Sequence, residues 1–309
     1  MRFLAALLCI CTLACCPAEA VFTAPFAQNQ PFVGQNPSSI PQHARRVRRA
    51  YSSGLNPARP LPTPDVPAPR PDCAAVCVID PYNGNVLYGY NAHMRRQVAS
   101  TQKIVTALCV CDTKELDKIV TIKASDRLAP PIRLNLRAGE QYSRRDLLQA
   151  MLTGSFNDVA VSLARDCAGS VEAFVARMNA RAKRMRMHNT HFANPNGLPA
   201  QQYSTAYDMA LAACYAYNNK TIRSMINIPA YEFRRNNGQV RIIRSTNRLL
   251  TTHPWVQGMK TGYTNLAGKC LISCAASNGR AVIVVVLGST SRKIWGESLK
   301  YLRWALDGV

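Results

Sequence analysis

Apolar residues gather in short runs toward the two ends of the region from about residue 73 onward, and fall at three- and four-residue spacing between them. Residues 74–80 and 85–90 are apolar or aromatic runs joined by Pro81-Tyr82-Asn83-Gly84, which predicts a β-hairpin. Residues 270–277 and 281–287 flank Asn278-Gly279, a strong turn signal, and predict a second hairpin with a further strand just before it. A third hairpin is predicted for residues 231–234 and 240–244 around Asn237-Gly238. Between these, Leu147, Leu148, Met151 and Leu152, then Val171, Phe174, Val175, Met178, Ala182 and Met185, keep a helical stripe, with Arg177, Arg181 and Arg184 on a solvated face. A last helix over 294–306 should return to cover the sheet. Strands at both ends with helices between them predict an α+β domain: one antiparallel sheet built from both termini, flanked by helices, plus a helical lobe.

The first 72 residues lack this periodicity. Arg2, the apolar run over 3–14 and Ala18-Glu19-Ala20 read as a secretory signal over residues 1–20, too short to span a membrane. Cleavage before Val21 is expected, and lipid attachment at Cys15 or Cys16 is the rival reading. Residues 21–72 are proline-rich and too poor in apolar side chains to offset their ordering entropy, so they are expected to form a tether to a folded domain over 73–309. Within it, Arg45-Arg46-Val47-Arg48-Arg49 is either a solvated patch or a dock for an anionic envelope polymer or lipid surface.

The net charge of +21 would suit nucleic acid, but an export signal and the lack of any nucleic-acid-binding motif argue against it; a polyanionic cell-wall setting fits instead. Eight cysteines lie beyond the signal, an even number that allows disulfides in an exported chain. Cys109 and Cys111 fall in an apolar helix and Cys77, Cys270 and Cys274 in apolar strands, where a free thiol behaves as a small hydrophobe. No C-x-x-C occurs, and no metal or organic cofactor is expected. His188 and His191, three apart, read as structural residues of a helix rather than ligands.

Three short strings carry chemistry: Ser100-Thr-Gln-Lys103, Ser155-Phe-Asn157 and Lys260-Thr-Gly262. A serine with a lysine three residues on, near a helix start, sets hydroxyl and amine on one face about a turn apart, so the amine can take the hydroxyl proton without a histidine. Each string alone is common by chance, the last in roughly one chain in ten. Their order and spacing are the informative part, since S-x-x-K, an S-D-N-type element and K-T-G occur together in serine acyltransferases that react with β-lactams.

The flanking sequence resembles the low-molecular-mass D-alanyl-D-alanine carboxypeptidases, penicillin-binding serine peptidases of family S11, from about Ala74 to Trp304. The matching stretches are Ala99-Ser-Thr-Gln-Lys-Ile-Val-Thr-Ala107, Met178-Asn-Ala-Arg-Ala182, Asn189-Thr-His-Phe-Ala-Asn-Pro-Asn-Gly-Leu198, Tyr203-Ser-Thr-Ala-Tyr-Asp208 and Gly258-Met-Lys-Thr-Gly-Tyr-Thr264. The resemblance implies a serine β-lactamase/penicillin-binding-protein transpeptidase-like fold, with the site between sheet and helical lobe. Ser100 and Lys103 would lie on the central helix, Ser155 and Asn157 on a loop of the lobe, and Lys260, Thr261 and Gly262 on an edge strand.

It implies Ser100 as nucleophile, Lys103 as its base with a pKa lowered by burial and by Lys260, Ser155 as proton relay, and Asn157 as holder of Lys103 and of the substrate amide. The backbone N–H groups of Ser100 and Tyr263 would be the oxyanion donors. Lys260 and Thr261 would bind the terminal carboxylate, helped by an arginine for which Arg292 is favoured over Arg244 and Arg248. Peptidoglycan stem peptides are then the substrates and β-lactams the inhibitors.

One departure is Phe156, where the family usually has glycine; the ring is expected to narrow the groove or alter substrate preference. Endopeptidase or transpeptidase action on the same residues, and a non-catalytic wall-binding role, are the alternatives. A class A β-lactamase needs a glutamate after the second motif to activate water, and between Glu172 and Glu232 the only acid is Asp208, placed at a helix start.

Overall fold

The strands nearest the end of the chain are apolar at consecutive positions because both faces of their sheet are covered. In a computed structural model, which describes residues 61–307, β8 (Gly268–Ser277) and β9 (Arg280–Ser289) are buried almost throughout. Period two then sorts their side chains. Cys270, Ile272 and Cys274 of β8, with Ile283, Val285 and Leu287 of β9, join the core on one face. Leu271 and Ala275, with Val282, Val284 and Val286, join the core on the other. β1 (Ala75–Ile79), β2 (Val86–Tyr90) and β7 (Val256–Thr264) complete an antiparallel sheet in the order β2-β1-β9-β8-β7. Both ends of the described chain thus build one sheet, as the hydrophobic pattern predicts, and β7 is left at its edge.

The other elements follow the chain in order. A 3-10 turn (Ala99–Gln102) leads directly into α1 (Lys103–Cys111). A small pair of strands, β3 (Ile119–Thr121) and β4 (Gln141–Ser143), precedes α2 (Arg144–Gly154), α3 (Asn157–Ala168) and α4 (Val171–Arg184). Then come α5 (Ala206–Asn218), α6 (Lys220–Ile226), the separate hairpin β5 (Ala230–Arg234) and β6 (Val240–Arg244), and the single turn α7 (Leu249–Thr252). The starts of α2, α4, α5 and α6 are set by Ser143, Ser170, Thr205 and Asn219, whose side chains accept from backbone N–H groups of the first turn.

α1 is the axis of the helical lobe. Every residue from Lys103 to Val110 is buried, because α2, α3, α4, α5 and α6 all pack around it. α5 also lies on β1 and β9, and α8 (Ile294–Asp307) covers the opposite face of the sheet. His188 and His191 lie beyond the end of α4, in a turn and an isolated bridge, not in a helix as the spacing suggested.

The signal, the lipid-attachment cysteines and the Arg45–Arg49 cluster lie outside the described residues. Residues 61–72 were expected to belong to a loose tether but run against α8. Trp304 Nε1 donates to Val66 O at 2.9 Å, Tyr301 Oη to Pro69 O at 2.9 Å, and Lys300 Nζ to Arg70 O at 2.6 Å. A proline-rich segment has few N–H donors but keeps every carbonyl, and α8 supplies the donors. All eight cysteines of the described chain are free thiols.

Candidate active site

The first motif does not sit wholly on the helix. Ser100 belongs to the 3-10 turn and Lys103 is the first residue of α1. A 3-10 turn has three residues per turn, so positions three apart eclipse, and Lys103 Nζ comes 2.8 Å from Ser100 Oγ. Two more acceptors hold the amine: Asn157 Oδ1 at 2.8 Å and the Asn196 carbonyl at 2.6 Å. A neutral lysine has two N–H donors and one lone pair. Here the Ser100 hydroxyl donates to the Asn196 carbonyl at 3.2 Å, and a neutral Lys103 that keeps its donors on Asn157 and Asn196 would turn its lone pair to that hydroxyl.

Electrostatics favour that neutral form. Lys103 is fully buried, and its pKa lies well below the ordinary lysine value, first because burial penalises the ammonium and second because Lys260 is nearby. Lys260, also buried, is brought down to about 7 by burial. The charge of Lys260 therefore adds to burial in lowering Lys103.

Ser155 and Asn157 sit where the helical lobe breaks between α2 and α3. Ser155 ends α2 in the left-handed region at φ 63°, an unusual conformation for a non-glycine residue, and Phe156 precedes the first turn of α3. The break turns Asn157 toward Lys103. Its backbone N–H donates to Ile132 O at 2.7 Å and its Nδ2 to Pro130 O at 3.4 Å, so a neighbouring loop fixes the amide.

The third motif lies on the edge strand β7. A side chain at Gly262 would set its Cβ 2.9 Å from Ser100 N and 3.0 Å from Thr101 N, so glycine is what lets the strand approach the turn bearing Ser100. Lys260 Nζ donates to Thr261 O at 3.0 Å, and Thr261 Oγ1 shares a 2.6 Å hydrogen bond with Thr246 Oγ1. Tyr263 is 55% exposed at the rim, its hydroxyl 2.9 Å from Asn265 Oδ1 and its ring beneath Lys269.

The three candidate arginines are spread around this end of the sheet. Arg292 is exposed in the turn between β9 and α8, and Arg244 ends β6. Arg248 precedes α7 and leans on the ring of Trp295, in the first turn of α8. The Thr246 contact with Thr261 brings the segment carrying Arg244 and Arg248 to the third motif, a link the motif spacing did not reveal.

Phe156 does not narrow an open groove. It is buried, its ring against Gly154, where an added Cβ would overlap it, and the Arg241 guanidinium lies over its face at 5.3 Å. The Asn196 carbonyl was also missed. Its loop is held by an Asx turn, Asn194 Oδ1 accepting from Gly197 N at 2.8 Å, and by Gln102 Nε2 donating to Asn194 O at 2.6 Å. Gly197, at φ 85°, leaves room for Ala99. The Asn-Pro-Asn-Gly string is a turn signal that could have pointed to this loop.

Comparison with known proteins agrees with this arrangement. The profile of peptidase family S11, D-alanyl-D-alanine carboxypeptidase, matches residues 64–291. The chain is 32% identical over 228 residues to the D-alanyl-D-alanine carboxypeptidase DacF of Bacillus subtilis, covering 72% of this chain and 59% of that protein. It is 35% identical over 237 residues to a D-alanyl-D-alanine endopeptidase of Pseudomonas aeruginosa, covering 75% of this chain and 76% of the relative. The crystal structure of a D-alanyl-D-alanine carboxypeptidase from Mycobacterium tuberculosis superposes with a TM-score of 0.74 at 29% identity, over 79% of this chain and 95% of that one. A half-buried Ser100 against a buried Lys103, facing a K-T-G edge strand in a chain matched over most of its length, places this protein in the D-alanyl-D-alanine carboxypeptidase family of serine peptidases.

Proposed function

We propose that this protein is a serine-type D-Ala-D-Ala carboxypeptidase acting on peptidoglycan stem peptides. The observation that carries the reading is the buried amine of Lys103, 2.8 Å from Ser100 Oγ, with two other acceptors taking its N–H groups. Lys103 removes the Ser100 proton as Oγ attacks the carbonyl of the penultimate D-alanine. The backbone N–H groups of Ser100 and Tyr263 stabilise the oxyanion. The C–N bond then breaks, Ser155 relays a proton to the leaving nitrogen, and D-alanine departs. Water attacks the acyl-Ser100 ester in the same way, releasing the shortened peptide and restoring the serine.

Asn157 holds Lys103 and the substrate amide, while Lys260, Thr261 and an arginine, Arg292 on our assignment, hold the terminal carboxylate. β-Lactams, which mimic the dipeptide, acylate Ser100 and stay. Export through residues 1–20, a wall- or lipid-facing role for the Arg45–Arg49 cluster, and a location outside the cytoplasm belong to the same proposal.

A second reading, D,D-endopeptidase action, is favoured by the 35% identity to a relative bearing that name. The deciding experiment follows D-alanine release from a pentapeptide ending in D-Ala-D-Ala, alongside hydrolysis of a cross-linked muropeptide dimer, in wild type and Ser100→Ala. Ser100-dependent D-alanine release supports the carboxypeptidase. Cleavage of the dimer alone supports the endopeptidase, and neither activity supports a non-catalytic wall-binding protein.

A further inference from the structure

A loop over residues 130–135 borders the site and is gripped from two sides. From α3, the Asp158 carboxylate accepts from Leu134 N and Asn135 N, each at 3.0 Å, and from Val159 N at 2.9 Å. From the β5–β6 hairpin, Arg235 Nη2 donates to Leu134 O at 2.7 Å and to Asn135 O at 3.3 Å, and Arg241 Nη1 donates to Leu134 O at 3.0 Å. N–H groups are thus held on one side of the loop and carbonyls on the other. The same loop supplies Pro130 O and Ile132 O to Asn157, whose Oδ1 receives Lys103 Nζ. Phe156 sets the outer grip, because its ring supports the Arg241 guanidinium.

We propose that Asp158 is a positioning residue for the Ser100–Lys103 pair. It fixes the 130–135 loop against Asn157 so that the Asn157 side chain stays on Lys103, and it keeps a buried negative charge behind the site; Arg241, seated on Phe156, completes the clamp. The proposal rests on Lys103 being the base toward Ser100. Asp158 is buried and makes its hydrogen bonds to backbone N–H groups, so its charge is not consumed in a direct ion pair.

Two charged groups bear on Lys103: Lys260 of β7, which drives its proton off, and Asp158 of α3, which retains it against burial. Elements packed against α1 direct their charges elsewhere. Arg144 of α2 goes to Asp166 and Glu115, Arg181 of α4 to Asp112, Asp208 of α5 to Asn189 and Thr190, and Arg223 of α6 to the Tyr217 ring.

The test is the pH dependence of Ser100 acylation by a fluorescent penicillin, with amide hydrogen exchange at Leu134, Asn135 and Asn157. Asp158→Asn removes the charge that helps Lys103 keep its proton, so the acidic limb should move to lower pH by about one unit. Exchange at Leu134 and Asn135 should quicken, and Asp158→Glu should return the limb toward its wild-type place. Arg241→Ala leaves that charge in place; it should slow acylation by roughly tenfold to a hundredfold, quicken exchange at Asn157 and leave the limb unmoved.

An Asp158→Asn enzyme that acylates with an unmoved limb overturns the proposal. If that variant does not fold, an Arg241→Ala enzyme with wild-type rate and wild-type protection of Asn157 overturns it instead. A wild type that is not acylated at Ser100 fails at the earlier step, the reading of Lys103 as base, and takes the proposal with it.

Discussion

Two lysines with opposite duties are the chemical centre of the site. Lys103 must be neutral to accept a proton, and Lys260 must be charged to hold a carboxylate; burial lowers both, and the charge of Lys260 sends Lys103 further down. Replacing Lys103 with Met keeps the buried volume and removes the base, and acylation should fall by about a hundredfold to ten-thousandfold with the fold intact, as stopped-flow labelling with a penicillin would show. Because Lys260 loses its charge as pH rises through about 7, kcat/KM for a peptide with a free C-terminal carboxylate should decline above that pH. Lys260→Arg, whose guanidinium stays protonated, should push the decline to higher pH; a pH profile of D-alanine release from both enzymes checks this.

At the scale of elements, the site depends on how closely three pieces approach: the 3-10 turn, the α2–α3 break and the edge strand β7. Gly262→Ala brings a Cβ within 3.0 Å of the backbone at Ser100 and Thr101, so strand and turn must separate. A displacement of this kind should lower acylation by about a hundredfold while circular dichroism and thermal unfolding change little. The hairpins β1–β2, β5–β6 and β8–β9, the last helix and all three motifs were legible from hydrophobic period and residue type, because side-chain identity decides them; the short pair β3–β4 was not. The Asn196 carbonyl was not, since a backbone acceptor carries no residue signature; only the Asn and Gly of its turn could be read. The 3-10 character of the Ser100 turn was hidden for a related reason, as both helix types place residues three apart on one side. Of the two expectations for Phe156, the narrowed groove fails because Gly154 beside it leaves room for the ring to fold inward.

At the scale of the whole molecule, all eight cysteines among the described residues are free thiols, so the described core is held by packing. Burial pushes Cys77, Cys109, Cys111 and Cys274 up to about 12 from the ordinary 9.0. Folding thus keeps protons that the unfolded chain releases above pH 9, and stability should be lost as pH rises from there. Lys103 and Lys260 act in the opposite sense, their burial cost easing as pH approaches the ordinary lysine value, but the buried thiols outnumber them. Urea midpoints should therefore fall between pH 9 and 10.5, and native thiols should react with a maleimide far more slowly than those of the urea-unfolded chain. The seating of residues 61–72 on α8 was unreadable in a proline-rich sequence, because it uses carbonyls that every residue has.

The central claim is that Ser100 is the nucleophile and Lys103 its base, and peptide-level mass spectrometry after brief exposure to benzylpenicillin tests it most directly. The account predicts a penicilloyl adduct on the peptide carrying Ser100 in wild type, none in Ser100→Ala, and a strongly slowed adduct at the same residue in Lys103→Met. An adduct that persists in Ser100→Ala, or that forms at the wild-type rate without Lys103, would contradict it.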